Sequence, residues 1–299
     1  MHLRISEISV LTSILLAAAF SVAPAESTKT KLKPVIRQVD HILIESSDPA
    51  PLFDFFANVL QLPVAWPIAE YSGFTSGGVG AGNVNLEVLR FAGPKDSPSA
   101  GRTQAHFIGL ALEPYRLVDC LAALEARSIT HDPPEPYNSK LPDGSVGTLW
   151  TNVVLPRVSK PDRSVFLCEY SPAFLNVEIR RNQLGGQLAL KQGGPLGIKA
   201  VKEIVLGTTN PAGDRLEWQK LLVTAAGASA TAWEAGSGPS IHLVPASSDR
   251  IQRIVFKVNS LKSAKDFLEE KHWLGAVSAE EVSIDASKVQ GLSIRLAGK

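Results

Sequence analysis

The sequence predicts an α+β fold built from four similar βαβββ units. Three observations support this prediction. Short apolar runs with strand-like alternation recur along the chain, an amphipathic helix follows the first run of a unit, and the same order then repeats at irregular spacing. The first unit, Gln38–Phe91, shows the pattern clearly, with a strand at Val39–Ile44, a helix at Pro51–Leu60 and a last strand at Asn85–Phe91.

The second unit repeats this order with a longer middle section. A strand at Ala105–Leu112 precedes a helix at Tyr115–Arg127, and Ser164–Tyr170 forms the last strand. The helix presents one apolar face to a sheet, because its large apolar residues recur at positions i, i+3, i+4 and i+7. An insertion rich in proline, His131–Gly147, makes this unit longer than the first.

Two further units follow a glycine-rich connector at Gly185–Gly197. Asn259 and Ser260 are candidate caps for the helix of the fourth unit. Paired units would form two domains, residues 36–173 and residues 198–298. The predicted elements of the last two units are Val201–Leu206, Asp214–Val223, Ser240–Val244, Ile251–Val258, a helix from Leu261, and Leu292–Leu296.

The N-terminal 25 residues are typical of a signal peptide. Arg4 precedes an apolar stretch, Val10–Val22, and Ala23-Pro24-Ala25 provides a small-x-small cleavage site. The mature protein is therefore expected to be exported, either periplasmic or secreted, with cleavage after Ala25. An interfacial N-terminal anchor is the alternative interpretation. No later stretch approaches the roughly 18 apolar residues that a membrane span requires.

Composition limits the kind of partner. The chain has 299 residues, of which 44% are hydrophobic and 20% charged, so it can bury a large core. Its formal net charge is +1 and it contains no basic run, whereas nucleic-acid binding requires a surface that neutralises phosphates. A small-molecule substrate is therefore expected. Nucleic acid is not expected as a partner, and neither is a membrane after signal cleavage.

Four polar residues stand in the middle of apolar strands, where a half-buried strand would not ordinarily place them. Alternation allows all four side chains to point inward. Two buried carboxylates would repel each other unless a cation neutralised them, and two imidazoles would complete a site for a divalent transition metal. The alternative is that each histidine is a satisfied core residue and each glutamate faces the surface. The residues are His41, Glu87, His106 and Glu169.

The same strands resemble those of the vicinal oxygen chelate superfamily, which includes glyoxalase I, extradiol dioxygenases and bleomycin-resistance proteins. The matching segments are VDHILI, NVNLEVLRF, AHFIGLAL and VFLCEY. The resemblance implies that paired units curl into a bowl and that the first and last strands of each unit hold one divalent metal ion. The implied ligands of Zn, Ni, Mn, Co or Fe are His41, Glu87, His106 and Glu169.

The second half is expected to be a degenerate copy of the first bowl. Aligning its strands with those of the first half brings Glu203, His242, Arg253 and Arg295 to the positions of the four candidate ligands. Two guanidinium groups would repel a divalent cation. The set is instead expected to form an ion cluster that fills the bowl, or alternatively an anion pocket for a substrate carboxylate.

The two cysteines and one glycine-rich run allow further structural predictions. Cys120 and Cys168 are expected to be neighbours between the second helix and its sheet, either as a disulfide or as two buried thiols. The glycine-rich run Gly73–Asn83 favours hairpin turns over a flexible lip. Whether two chains form a homodimer is left open by the sequence.

The leading functional hypothesis is an exported, metal-dependent enzyme of the glyoxalase type. It would act as an isomerase or lyase on a small oxygenated substrate that chelates the metal. By resemblance to glyoxalase I, Glu169 is favoured as the proton-accepting base, with Glu87 as the other candidate. Two alternatives stay open: a non-catalytic protein that sequesters a ligand and tolerates loss of His106, and an extradiol-type dioxygenase.

Overall fold

Two curled β-sheets flanked by helices make up residues 34–92, 104–222 and 231–298, the part of the chain that the computed structural model describes. The α+β fold class is confirmed, with each sheet forming one bowl-shaped half. The predicted signal peptide, residues 1–25, lies outside the described residues. None of the helices in the described ranges is long and apolar enough to cross a membrane.

The first half contains two complete βαβββ units. Helix α1 continues into a π-helical turn at Phe55–Val59. The elements are β1 (Ile36–Glu45), α1 (Pro49–Asp54), β2 (Val64–Tyr71), β3 (Phe74–Gly80), β4 (Asn85–Phe91), β5 (His106–Pro114), α2 (Leu117–Ala126), β6 (Glu135–Lys140), β7 (Val146–Val154) and β8 (Ser164–Tyr170).

The second half repeats this plan after a connecting helix. Its third unit has two strands after the helix within the described residues, and its fourth unit is complete. The elements are α3 (Val177–Leu190), β9 (Ile198–Thr208), α4 (Pro211–Leu222), β10 (Ala232–Glu234), β11 (Ser240–Pro245), β12 (Ile251–Val258), α5 (Leu261–Glu270), β13 (Leu274–Val277), β14 (Glu281–Ile284) and β15 (Ile294–Ala297).

Each sheet is joined at its centre by the first strands of its two units. The first sheet has the order β2-β3-β4-β1-β5-β8-β7-β6, and the second has the order β10-β11-β9-β12-β15-β14-β13. Within a unit the first and last strands run parallel, as β1 with β4 and β5 with β8, while β1 and β5 pair antiparallel. The repeat seen in the sequence therefore becomes a near-twofold arrangement in each sheet.

A buried apolar core lies between the convex faces of the sheets and their helices. This core is continuous across both halves. Helix α5 begins as predicted, because the Ser260 side chain accepts a hydrogen bond from the backbone N–H of Ser263. Helical periodicity thus correctly located the elements that cover the sheets.

The glycine-rich connector differs from the prediction. Helix α3 runs through Gly185 and Gly186, and a Cβ at either position would meet nothing within 4 Å. Its N-terminus is stabilised by Asn176, whose side chain accepts a hydrogen bond from the Ile179 N–H. Leu184 and Leu188 on the same helix are buried. Burial of this apolar face offsets the low helix propensity of glycine.

Asn83 connects the two halves through the backbone of the first strand of the second sheet. Its Oδ1 atom accepts a hydrogen bond from Val201 N at 3.0 Å, and its Nδ2 atom donates to Val201 O at 3.0 Å. Both functions of the amide are therefore satisfied by one partner residue, which makes the contact specific for asparagine.

The cysteine prediction needs correction. Cys120 lies in the core between helix and sheet, whereas Cys168 packs with Leu43, Leu89 and Ala111 on the opposite, concave face of the first sheet. Both are buried free thiols. Burial raises the pKa of Cys120 to about 12, with a smaller opposing effect from the charge of Arg127.

The first prediction concerns these thiols. Native protein at pH 8 should react with almost no 5,5′-dithiobis(2-nitrobenzoate), because a pKa of about 12 leaves only about one Cys120 in 10⁴ as thiolate. Two thiols per chain should react with this reagent when the protein is unfolded in guanidinium chloride without reductant. Zero equivalents under those denaturing conditions would reveal a disulfide and contradict the structure.

The second prediction concerns Asn83. The Asn83→Ala variant should lower the free energy of unfolding by about 1–3 kcal/mol, because it removes three side-chain hydrogen bonds, two to Val201 and one to Ser237 O, and leaves a part-buried strand backbone unpaired. Urea denaturation measures the change. Asn138→Ala, which removes an exposed side-chain hydrogen bond on the β6–β7 hairpin, is the matched control and should cost less than about 0.5 kcal/mol. Equal losses in the two variants would contradict this role.

Candidate functional site

A cavity of about 630 Å³ occupies the concave face of the first sheet. Its walls are mostly aromatic and aliphatic, and a few polar side chains from β1, β3, β4, β7 and β8 enter it. This composition is that of a small-molecule site. The aromatic residues of the wall are Trp66, Tyr71, Phe74, Phe91, Tyr137, Trp150, Phe166, Tyr170 and Phe174.

Trp66 lies in this wall because the facing strand carries glycine. Trp66 on β2 pairs with Gly78 on β3, and a Cβ at Gly78 would lie only 2.5 Å from the indole ring. The run Gly73–Asn83 is thus partly a strand, and the β2–β3 turn at Ser72–Gly73 confirms the hairpin interpretation. Any larger residue at position 78 would displace the indole ring.

A β-bulge in β1 changes which side chains face the cavity. The pairing of β1 with β5 shifts between Val39 and His41, so that Val39 lies in the core whereas both Asp40 and His41 line the cavity. Bulges re-aim side chains in this way. Simple alternation therefore missed Asp40, and the adjacent Asp-His pair is the only sequence signal that points to it.

His41 lies between two carboxylates. Its Nδ1 atom is 2.8 Å from Asp40 Oδ2, and its Nε2 atom is 3.2 Å from Glu87 Oε2. Burial lowers the pKa of His41, but the hydrogen bond to Asp40 and the negative charges of Glu87 and Asp40 outweigh it, so the pKa is raised. The geometry thus favours an imidazolium that neutralises part of the carboxylate charge.

Further hydrogen bonds extend this group at both ends. Tyr170 donates from its hydroxyl to Asp40 Oδ2 at 3.1 Å, and Ser76 donates to Glu87 Oε1 at 2.6 Å. Trp66 Nε1 in turn donates to Ser76 Oγ at 3.1 Å. Burial and the charge of Asp40 raise the pKa of Tyr170 well above its usual value, which keeps the phenol protonated. The polar groups are therefore held in one connected network.

His106 does not join this network, which corrects the prediction that it is a metal ligand beside His41. In the antiparallel β1–β5 pair, His41 is opposite Ala111, while His106 is opposite Glu45 at the far end of the pair. His106 Nε2 is 3.2 Å from Glu45 Oε2, and the residue lines a second, separate cavity. The register of the pair, rather than the position of a residue within its own strand, decides which side chains meet.

Glu169 also lies outside the cavity. Its Oε1 atom accepts a hydrogen bond from Leu117 N at 2.7 Å, so the carboxylate stabilises the N-terminus of α2 on the convex face. Val165, Leu167 and Glu169 do share a face, as predicted, but it is the face covered by the helix. The cavity side of β8 carries Phe166, Cys168 and Tyr170.

The predicted metal site therefore does not fit the residues present. Of the four expected ligands, His41 and Glu87 meet in the cavity, and both ring nitrogens of His41 already face carboxylates. No group of three or more His, Cys, Asp or Glu side chains within residues 34–92, 104–222 and 231–298 is arranged to hold a metal ion. A two-residue set is short of the three protein ligands of catalytic zinc sites.

The four aligned residues of the second half do not form one cluster either. Glu203 pairs with His242, at 3.4 Å between Oε2 and Nδ1, whereas Arg295 pairs with Glu281 at 3.0 Å. The Nε atom of Arg253 is buried without a hydrogen-bond partner in the described part of the chain. The structure therefore corrects the expected cluster of Glu203 with the two arginines into separate pairs.

Known structures share this fold. No protein-family model and no curated protein sequence matches the chain. A hypothetical protein from Staphylococcus aureus is 11% identical with a TM-score of 0.57, covering 87% of this chain and 99% of its own.

Two dioxygenases have similar folds. Homoprotocatechuate 2,3-dioxygenase from Arthrobacter globiformis is 12% identical with a TM-score of 0.55, covering 89% of this chain and 80% of its own. The 2,3-dioxygenase LapB from Pseudomonas sp. KL28 is 11% identical with a TM-score of 0.56, covering 89% and 93%. Identities this low show the fold alone. The chain therefore shares its fold with these dioxygenases, as the resemblance noted in the sequence implied.

Proposed function

We propose that the cavity of the first sheet binds a flat, largely apolar small molecule without a resident metal ion. The observation that carries this proposal is the combination of an aromatic-walled cavity of about 630 Å³ with three ionisable side chains, Asp40, His41 and Glu87, that are already paired with one another. Of the hypotheses raised by the sequence, this corresponds to the ligand-sequestering protein.

The aromatic wall supplies extended flat surfaces. Tyr137 and Trp150 stack with ring centroids 4.4 Å apart and planes inclined by 7°, and Tyr71 and Phe74 stack at 4.9 Å and 10°. Phe74 and Tyr137 lie 6.4 Å apart, although they come from strands near opposite ends of the sheet. The curl of the sheet therefore brings aromatic surface around the cavity, which suits a planar ligand.

Three ionisable side chains of the cavity, Asp40, His41 and Glu87, are paired with one another. Asp40 faces His41 and lies 3.7 Å from the guanidinium of Arg181, and Glu87 faces His41 and Ser76. A ligand therefore need not carry a formal charge to be accommodated. Burial of its apolar surface would supply most of the binding free energy, at about 25 cal/mol per Å².

The glyoxalase-type mechanism finds less support in this geometry. Its favoured base, Glu169, is engaged at the N-terminus of α2, and Glu87 is hydrogen-bonded within the cavity network. The likeness to dioxygenases is one of fold, and position 111, opposite His41, carries alanine, which cannot ligate a metal.

Export is a separate part of the proposal. The basic start, apolar stretch and Ala-Pro-Ala site within residues 1–25 support a cleaved signal peptide. Mass spectrometry of the protein recovered from the periplasm or medium of a bacterial host should find an N-terminus at Glu26. Recovery of the full-length chain in the cytoplasm alone would contradict export. Whether two chains form a homodimer stays open.

The third prediction tests the aromatic wall with naphthalene as a neutral planar probe. Isothermal titration calorimetry should detect saturable binding, and Trp150→Leu should weaken it about tenfold, because one stacking surface of the cavity is lost. Trp273→Leu is the matched control, because Trp273 contacts Phe55 and Phe267 away from the cavity. Absence of saturable binding to the native protein would refute the proposed function.

The fourth prediction tests independence from metal. Prolonged treatment with a chelator should leave naphthalene affinity within about twofold, since no described ligand set holds a metal ion. His106→Ala should likewise preserve binding, because this side chain lines another cavity. Stoichiometric metal that is lost together with binding in His106→Ala would restore the four-ligand model and overturn this proposal.

A further inference from the structure

Asn152 is a carboxamide in the cavity wall that serves no evident structural purpose. It lies on β7 between Trp150 and Val154, and all three residues line the cavity. Its Oδ1 atom is fully buried and has no hydrogen-bond partner within the described residues. Most buried polar side-chain atoms in proteins do have such a partner.

The contrast with Asn83 shows what a structural asparagine looks like in this protein. Asn83 uses both Oδ1 and Nδ2 to bind the backbone of Val201. Asn152 has no such backbone contact for its oxygen, although its neighbours on β6 and β8, Glu135 and Cys168, are paired with it in the sheet. An apolar β-branched residue at position 152 would suit the strand better, so the amide costs stability unless a ligand uses it.

The chemistry of the side chain restricts that ligand. A carboxamide presents one acceptor and one donor side by side in a plane, whichever way the amide is assigned. Its complement is a planar group with an adjacent N–H donor and C=O acceptor. Asparagine recognises adenine edges by the same two-point pairing. Asp40, His41 and Glu87 in the same cavity are paired with one another, so this edge need not be charged.

The position of Trp150 restricts the orientation. Trp150 precedes Asn152 by two residues on the same face of β7 and stacks on Tyr137. A ring held among these aromatic side chains can direct an edge toward the amide of position 152. Stacking supplies affinity that tolerates many rings, whereas the amide would select among them.

We propose that Asn152 is a specificity-determining residue that reads the lactam-type edge, an adjacent N–H and C=O, of a planar heteroaromatic ligand. This inference rests on the proposed function, since it names the class of molecule that the cavity takes. It assigns the selection to one side chain, with the aromatic wall providing binding that does not depend on that edge.

Three probes of similar size separate these contributions. 2-Quinolinone carries the lactam edge, N-methyl-2-quinolinone lacks its N–H donor, and naphthalene lacks both groups. Calorimetry on the native protein should show 2-quinolinone binding at least about tenfold more tightly than the N-methyl compound, the effect expected for one or two hydrogen bonds. Naphthalene should bind regardless of the amide.

Substitution at position 152 then assigns the preference. Asn152→Leu, which is close in volume, should bind 2-quinolinone about tenfold more weakly and naphthalene within about twofold, so that the preference over the N-methyl compound disappears. Asn152→Val provides a smaller, strand-compatible second variant if leucine alters the cavity. Asn138→Leu, on the outward face of the adjacent strand, is the matched control and should keep the full preference.

The outcomes distinguish the two proposals. Naphthalene binding without any advantage for 2-quinolinone in the native protein would overturn this inference and leave the proposed function standing. A preference that persists in both variants of Asn152 would also overturn it. Failure of all three probes to bind the native protein would overturn both proposals together.

Discussion

The antiparallel pairing of β1 with β5 is the interaction on which the site depends. These two strands form the centre of the first sheet, and each carries the last strand of its own unit parallel to it. Their register sets Ala111 opposite His41 and moves His106 to the end where Glu45 stands. A shift of the register would bring a different pair of residues to the middle of the bowl.

The two carboxylates closest to His41 are stabilised by paired and hydrogen-bonded neighbours. The buried carboxylate of Asp40 and the part-buried carboxylate of Glu87 would be costly alone in an aromatic environment. His41 between them compensates for part of this negative charge, Arg181 from α3 is shared between Asp40 and Glu113, and Tyr170 and Ser76 donate further hydrogen bonds. Buried polar networks of this kind are favourable only when their members are satisfied. Asn152, which stands outside the network, is therefore conspicuous.

The same fold supports different chemistry depending on a few positions. The dioxygenases of similar fold are 11–12% identical to this chain, so the comparison shows a shared fold. The chemistry of the site must be inferred from the side chains of this chain. Here the second unit contributes Ala111, Cys168 and Tyr170 to the concave face where ligands were expected. These three side chains line the concave face without forming a cluster of charged groups there.

The sequence by itself determined the repeat and most of its elements. Apolar periodicity located β1, β4, β5, β8 and α2, and it singled out His41 and Glu87, which do meet in the cavity. These predictions succeeded because side-chain alternation and helical spacing are local properties of the chain. The burial of α3 against the first half, which overrides its glycines, could not be read locally.

Tertiary structure alone decided which face of each strand forms the cavity and which residues lie opposite one another. Alternation correctly grouped Val165, Leu167 and Glu169, but only the packing of α2 shows that they point away from the bowl. The bulge at Asp40 breaks alternation within β1, and the position of His106 depends on a register shared with another strand. Pairing partners are long-range contacts, so a strand's own sequence cannot specify them.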